Sequence, residues 1–326
     1  MGEFALIEEI RQRCNVPRPD VTLGIGDDAA LLQPRAGNEL AVSMDTLVAG
    51  VHFPATTAPF DLGWKALAVN LSDLAAMGAE PAWATLALTL PSPDADWLAR
   101  FCEGFAALAR AHELALVGGD TTRGPLSITL TVQGFVPRGA ALRRDGARAG
   151  DRIVVSGHLG EAAAGLSLLL GTDAPRGLGD ADREHLLQRL NRPHPRLALG
   201  LALRGIASAA IDISDGLHQD LGHIAARSGL AARIHADCLP RSDTLARAGD
   251  VLQCLRWQLA GGDDYELCCA VPPDRMAQAL AAAARCGVPL TDIGAFEPGS
   301  QVRVIGRGGD EIAVGYGGWE HFSACT

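Results

Sequence analysis

Residues 61–78, DLGWKALAVNLSDLAAMG, constrain the fold more than any other stretch of this chain. Trp64, Leu67, Ala68, Leu71, Leu74 and Ala75 recur at i, i+3, i+4 spacing, which predicts an amphipathic helix with one buried stripe. Asn70, Asp73 and Met77 fall on a different face, about one turn apart. Strand-like segments flank the helix, ELAVSMDT before it and WATLALTL (83–90) after it. The pattern continues with a helix over 94–113, a buried strand LALV (114–117) ending in GGDTT, and a strand LSITLTVQGFV (126–136). Residues 5–14 read as a short amphipathic helix. Asp61 and Asp94 precede their helices and are expected to cap them.

The stretch PRGAALRRDGARAGD has no apolar period and is rich in Gly, Arg and Pro, so a domain boundary is expected near 137–150. This divides the chain into 1–137 and 138–326. The second half restarts with the strand DRIVVSG, followed by helices near 160–170, 180–190 and 194–204. ASAAIDISDG reads as a strand ending in acids, with a helix from Leu217. WQLAGGDDYELCCAV reads as a second such segment, and 273–286 as an alanine-rich helix. The last forty residues look like short strands with Gly turns. Strands and helices mix without a strict βαβ series, so the expected class is α/β in the α+β sense, with two domains. An apolar segment followed by GGD occurs in both halves, LALVGGDTT and WQLAGGDDYE, which suggests related loops or two independent ones.

The chain's 326 residues suffice for two ordinary domains. Hydrophobic residues make up 48% and charged residues 20%, as in soluble globular proteins, and no apolar run is long enough to span a membrane. The N-terminus MGEFALIEEIRQR mixes acids with apolar residues and is no secretory signal, so a cytoplasmic protein is expected. A net charge of −10 argues against nucleic acid as a partner. Lys65, in LGWKAL, is the sole lysine, so the chain has no phosphate-binding P-loop. The eight cysteines form no C-x-x-C pair and the histidines lack zinc spacing, which points to reduced thiols and no structural zinc.

GIGDDAALL (24–32) matches the G-x-G-x-x-A of a dinucleotide-binding turn, with Asp45 about 20 residues on. That reading fails on two counts. Pro34 and Gly37 leave no room for the helix whose N-terminus would face a pyrophosphate, and Asp27 and Asp28 would meet it with the wrong sign. The same acids make sense if a cation lies between them and phosphate. They belong to a wider set of aspartates at the ends of elements: Asp45, Asp73, Asp120, Asp212, Asp215, Asp263 and Asp264. Aspartate is common in turns, so any one of these is ordinary; the number of them following apolar segments is not. Carboxylates gathered in one cleft repel one another, and oxygen ligands without Cys or His suit Mg²⁺, Mn²⁺ or Ca²⁺.

The segments GIGDDAALL, SMDTLVAGVHF, KALAVNLSDLAAMGAEPAWATLALTLP, LVGGDTTRGPLSITLTVQGFVP, IDISDGLHQDLGHIA and GGDDYELCCAVP resemble the thiamine-monophosphate kinase family, in order along nearly the whole chain from GEFALI to WEHF. The wider superfamily includes aminoimidazole ribonucleotide synthetase, selenophosphate synthetase and a hydrogenase maturation protein, all ATP users without a P-loop. The resemblance implies a two-domain aminoimidazole ribonucleotide synthetase-like fold. It implies a homodimer pairing the sheets of its N-terminal domains, and a cleft between domains holding ATP and several Mg²⁺. The implied reaction is ATP plus thiamine monophosphate giving ADP and thiamine diphosphate by direct in-line transfer. The acceptor phosphate, with a second pKa near about 6, is largely ionised at neutrality and needs no strong base. Positioning and charge neutralisation then dominate the catalysis.

By this resemblance Asp28, Asp45, Asp73 and Asp120 are magnesium ligands, assisted by Ser43 and the backbone of Met44, with Asp27 behind them. Asp212 and Asp215 are metal ligands from the second domain. Gly119, Asp120, Arg144 and Ser214 contact ATP, with Arg144 the main positive charge. His52, Asp263 and Trp319 lie on the thiamine side, Trp319 as a ring for the cationic thiazolium or the pyrimidine. Tyr265 and Glu266 are expected to be structural. Two positions depart from the family pattern: Met44 stands where Thr or Ser is common, and Asp263 where Glu is usual in GGEDYEL. Among other acceptors in the superfamily, selenophosphate synthetase uses a Cys or selenocysteine beside a Lys. Cys14, in RQRCNV, has no such neighbour. The hydrogenase maturation protein uses a terminal Cys, whereas Cys325 here precedes Thr326 without that family's tail. A silent nucleotide-binding protein is a third reading, against which the intact acids argue.

Overall fold

The computed structural model describes residues 2–172, 175, 177–313 and 318. The chain forms two compact units, residues 1–74 with 79–139, and residues 75–78 with 140–326.

The first unit contains α1 (Glu3–Arg13), β1 (Val21–Leu23), β2 (Leu31–Leu32), β3 (Asn38–Val48), α2 (Pro59–Ala76), β4 (Glu80–Leu90), α3 (Ala95–Ala111), β5 (Ala115–Arg123) and β6 (Ser127–Pro137). Its main sheet has the order β3-β6-β4-β5, with β4 and β5 parallel and the other pairs antiparallel. Period-two alternation sets its faces. In β6, buried Ile128, Leu130 and Val132 alternate with the more open Ser127, Thr129 and Thr131. The apolar face lies under α2, where a Cβ on Gly134 would meet the Leu74 side chain at 3.2 Å. On the other face, β1 and β2 cover only one end, packing Val21 and Leu32 on Trp83 and Phe135, whose rings meet edge-on at 5.1 Å.

Helices α2 and α3 cross at two glycines. A Cβ on Gly63 would lie 2.0 Å from the Phe101 carbonyl oxygen, and one on Gly104 1.9 Å from that of Phe60. Backbone meets backbone there and no side chain can yield. Gly104→Ala is therefore expected to destabilise the first unit by about 3 kcal/mol or more, read as a lowered urea midpoint.

The second unit contains β7 (Arg152–Ser156), α4 (Glu161–Leu170), α5 (Asp180–Asn191), α6 (Leu197–Leu203), β8 (Ala209–Asp212), α7 (Leu217–Ser228), β9 (Ala231–His235), α8 (Asp243–Ala248), α9 (Val251–Ala260), β10 (Leu267–Val271), α10 (Met276–Arg285), β11 (Leu290–Glu297) and β12 (Val302–Ile305). Its sheet has the order β12-β9-β11-β7-β10-β8 and is antiparallel except between β12 and β9. All five residues of β10, LCCAV, are buried, as in a strand covered on both faces. Cys268 and Cys269 are thus core residues, and among the described residues the cysteines are free thiols. No described helix is long and apolar enough to cross a membrane.

Several expectations from sequence need correction. Asp94 does cap α3, accepting from the Trp97 N–H, but Asp61 lies inside the first turn of α2, which begins at Pro59. The segment before the second GGD is helical: WQLA ends α9, because Trp257, Gln258 and Leu259 pack as part of a ten-residue helix capped by Asp250. The first GGD lies within β5, which runs on through Arg123. The two GGD motifs therefore occupy different local structures and are not related loops. After GIGDD the chain enters β2 and no helix opens, as the rejection of the dinucleotide turn anticipated.

Candidate active site

In the first unit, β3 and α2 bring three of the expected groups together. Alternation along β3 turns Ser43 and Asp45 towards α2, where the Ser43 hydroxyl donates to Asp73 Oδ2 at 2.5 Å. Asn70, one turn before Asp73 and 1% exposed, accepts from the Asp45 N–H at 3.1 Å and donates to the Ala66 carbonyl. Sequence reading placed Asn70 beside Asp73 on the helix without giving it a task. It joins β3 to α2 next to the acids. Asp27 and Asp28 are exposed in the turn after β1, with the Asp27 carboxylate accepting from the Asp28 N–H at 2.8 Å. The ring of His52 accepts at Nδ1 from the Val48 N–H, which puts the neutral ring's proton on Nε2.

Asp120 is different. It pairs with Ala87, which pairs with Thr129, whose hydroxyl meets that of Thr46 at 2.9 Å. Two residues on, the Thr122 hydroxyl meets that of Thr89. This is the threonine-rich face, opposite the one carrying Ser43 and Asp45. The expected first-domain ligand set is therefore not assembled within one unit: Asp120 stands on the far side of the sheet from Asp45. The row Leu40, Val42 and Met44 lies on the same face as Asp120, with exposures of 45%, 60% and 62%. The Met44 side chain points away from Asp73, so only its backbone shares the strand with Ser43 and Asp45.

In the second unit, β8 ends at Asp212, which is buried. The turn that follows is held by α7. Asp220 Oδ2 accepts from the N–H groups of Ser214, Asp215 and Gly216, at 3.0, 3.1 and 3.1 Å. Gln219 donates to Asp215 Oδ2 at 3.3 Å. Burial, with the charge of Asp215, pushes the Asp220 carboxyl up to about 7 against the pull of those donors. The 261–266 loop runs beside this turn, with Asp263 N–H donating to the Ser214 carbonyl and Tyr265 N–H to that of Ile213. Asp263 and Tyr265 both take positive φ, 67° and 50°, and the Tyr265 hydroxyl donates to Asp263 Oδ1 at 3.1 Å. Arg144 is exposed, beside an Arg143 engaged with Asp145. Trp319 lies outside the described residues. Gly318 before it sits against the same turn, where a Cβ would be 2.6 Å from the Asp215 carbonyl oxygen.

Behind this loop lies a buried charge network. The Glu266 carboxylate accepts from Ser156 at 2.5 Å, from Arg196 at 2.7 Å and from Arg189 at 3.1 Å. Asp264 is wholly buried. Its Oδ2 accepts from the Gly160 N–H, and its Oδ1 has no hydrogen-bond partner among the described residues. Burial pushes its carboxyl well up from the ordinary range. An acid whose folded-state pKa is raised takes up a proton on folding, so stability falls as pH rises from about 4 towards that pKa. Asp264→Asn is expected to remove this slope and to gain about 1 kcal/mol at pH 8, read by urea unfolding at pH 5 and 8.

Among the described residues, no three His, Cys, Asp or Glu side chains gather closely enough to hold a metal ion. The expected ligands are oxygen donors in pairs, Ser43 with Asp73 and Asp212 near Asp215, and that donor chemistry fits magnesium.

Comparison with known proteins decides the family. Residues 26–136 match the AIR synthase related protein, N-terminal domain, and residues 148–307 match its C-terminal domain. The thiamine-monophosphate kinase of Escherichia coli K12 is 49% identical over 322 residues, 99% of this chain and 98% of that protein. The chain belongs to the thiamine-monophosphate kinase family. The family enzyme of Bacillus subtilis is 36% identical over 94% of both chains. Among solved structures, the thiamine-monophosphate kinase of Stenotrophomonas maltophilia matches with a TM-score of 0.86 and 55% identity, over 93% of this chain and 96% of that one. AaThiL complexed with AMPPCP and TMP matches with a TM-score of 0.76 and 33% identity, over 98% and 97%. The hydrogenase maturation protein HypE in complex with ATP, 22% identical with a TM-score of 0.74, shares the fold. Asp263 takes its positive φ in a loop tied to the 214–216 turn by its N–H bond to the Ser214 carbonyl.

Proposed function

We propose that the chain transfers the γ-phosphoryl group of ATP to thiamine monophosphate, giving ADP and thiamine diphosphate. The observation that carries this reading is the match over 98% of the chain to AaThiL complexed with AMPPCP and TMP, at 33% identity. Asp28, Ser43, the Met44 carbonyl, Asp45, Asp73 and Asp120 would hold magnesium on the first domain, 1–137, and Asp212 and Asp215 on the second, 138–326. Magnesium, when bound, neutralises the charge of the two phosphate groups that must meet. Gly119, Ser214 and Arg144 bind the ATP phosphates, Arg144 as the main positive charge. His52 donates through Nε2 on the thiamine side, and Asp263 and Trp319 complete that side. Asp263, one methylene shorter than the usual Glu, is held by the Tyr265 hydroxyl, and a water fills the remaining reach.

The protein acts as a cytoplasmic homodimer in this reading. The open threonine face with Leu40, Val42 and Met44 is an apolar row on an edge strand, a surface that pairing with a second copy would cover. Asp120 shares that face, so pairing would place it at the interface with the second copy. The test of the function is ADP release with thiamine monophosphate against thiamine and other phosphorylated acceptors. Release with thiamine monophosphate alone supports the reading, and binding of nucleotide without turnover refutes it.

A further inference from the structure

Asp220 is 3% exposed, and nothing in the phosphoryl-transfer reading uses it. Three successive backbone N–H groups converge on its Oδ2, those of Ser214, Asp215 and Gly216, all within 3.1 Å. Such a row of N–H groups makes a concavity that ordinarily takes an anion from outside. Here the first turn of α7 fills it from within. Gly216 permits the geometry with φ 124°, and a Cβ there would lie 3.0 Å from the Ala260 carbonyl carbon. Drawn to Asp220, the three N–H groups tie the turn to the first turn of α7. Gln219, the residue before Asp220, holds the Asp215 carboxylate from the same helix turn. The simplest role for Asp220 would be a helix-entry cap. A cap satisfies one or two N–H groups of its own helix, whereas two of these three belong to Ser214 and Asp215, which lie before it.

We propose that Asp220 is a positioning residue: its carboxylate locks the 214–216 turn so that Ser214 and Asp215 meet the magnesium-bound polyphosphate of a nucleotide in a fixed arrangement. This rests on the reading above that Ser214 and Asp215 serve nucleotide and metal. Asp220 touches neither substrate nor metal; it acts through the backbone of the residues that do.

The test uses the full-length protein and the variants Asp220→Asn, Asp220→Ala and Asp220→Glu. Asparagine keeps an acceptor oxygen at the same reach, alanine removes it, and glutamate keeps the charge but moves it by one methylene. Amide hydrogen exchange across 213–217, without nucleotide, reads the lock directly. Exchange is expected to quicken at least about tenfold in the Ala and Glu variants and to stay within about threefold of wild type in Asn. Calorimetric affinity for MgADP, and KM for MgATP, are expected to weaken by about 10–100-fold in Ala and Glu, the size of effect of losing a residue that orients a metal ligand. KM for thiamine monophosphate should stay within about twofold, and Asn should recover most of the nucleotide affinity. Unchanged exchange in Ala and Glu overturns the proposal, and so does an equal loss for both substrates. If the Ala variant does not fold, the Asn and Glu comparison decides by the same criteria. If wild type binds MgADP but does not phosphorylate thiamine monophosphate, the functional reading fails while exchange and MgADP affinity still judge Asp220.

Discussion

Asp45→Ala and Asp120→Ala are each expected to lower phosphorylation of thiamine monophosphate by about a thousandfold. The single losses follow from the chemistry. A dianionic acceptor must approach a triphosphate, and each carboxylate that would hold a neutralising cation removes several kcal/mol of transition-state stabilisation when lost, on the order of 3–4 kcal/mol. Co-expression of the two variants reads whether both aspartates of one chain serve the same site. Asp45 faces α2 with Ser43 and Asp73, while Asp120 faces outward with Thr129 and Thr122. If a site were built from Asp45 of one chain and Asp120 of another, a mixed dimer would have one site lacking both aspartates and one site intact. About half of randomly assorted dimers are mixed and half of their sites would be whole, so turnover would return to about a quarter of wild type. If Asp45 and Asp120 of one chain served the same site, every site in the mixture would carry one defect and turnover would stay at the level of the single variants. Thermal melts of both variants near wild type would confirm that folding is not what is lost.

That arrangement shows where sequence reading succeeds and where it stops. The α2 helix was legible because its stripe from Trp64 to Ala75 is long and strictly periodic, and local pattern is what periodicity reports. GIGDD could be withdrawn from the dinucleotide class because Pro34 and Gly37 preclude a helix. The face on which Asp120 stands was not legible. It depends on the strand continuing through GGD, and a run of Gly-Gly-Asp after LALV reads as a turn by propensity alone. Pairing with β4 keeps it extended. For the same reason WQLA looked like a strand: four apolar residues cannot distinguish a buried strand from the end of a helix, and the Asp250 cap lies seven residues upstream. Asn70 and Asp220 were missed as supports because their contacts run to backbone groups, and Glu266, expected to be structural, finds a partner 110 positions away that no local pattern marks. An Asp four residues after a Gly at a helix start was the one available signal for Asp220.

Glu266→Ala is expected to destabilise the second unit by about 3–5 kcal/mol, the largest stability effect of any single exchange at the site. Burial alone would push this carboxyl up. The hydrogen bond and charge of Arg196, with Arg189 and Ser156, outweigh burial and hold it below its usual range. Removing the carboxylate leaves two guanidinium groups, with side chains 20% and 13% exposed, facing a void. Arg189 retains Glu161 at 3.1 Å, whereas Arg196 loses both of its bonds to Glu266. Leu267 N–H keeps the Ser156 hydroxyl, but that hydroxyl loses its own acceptor. The sign of the pH dependence identifies the cause. A carboxyl whose folded pKa is depressed stabilises the fold above its unfolded value of about 4.5 and loses that contribution as pH falls through the folded value. The gap between wild type and Glu266→Ala in urea unfolding should therefore be full at pH 7 and narrow on acidification below about pH 4. Asp264, two residues earlier, carries the opposite slope, because its burial outweighs the Gly160 N–H and the charge of Arg189. The double change Glu266→Ala with Arg196→Ala should cost less than Glu266→Ala alone, since the second change removes a charge left without its partner. A double variant less stable than the single one would show that packing, and not the stranded guanidinium, sets the loss.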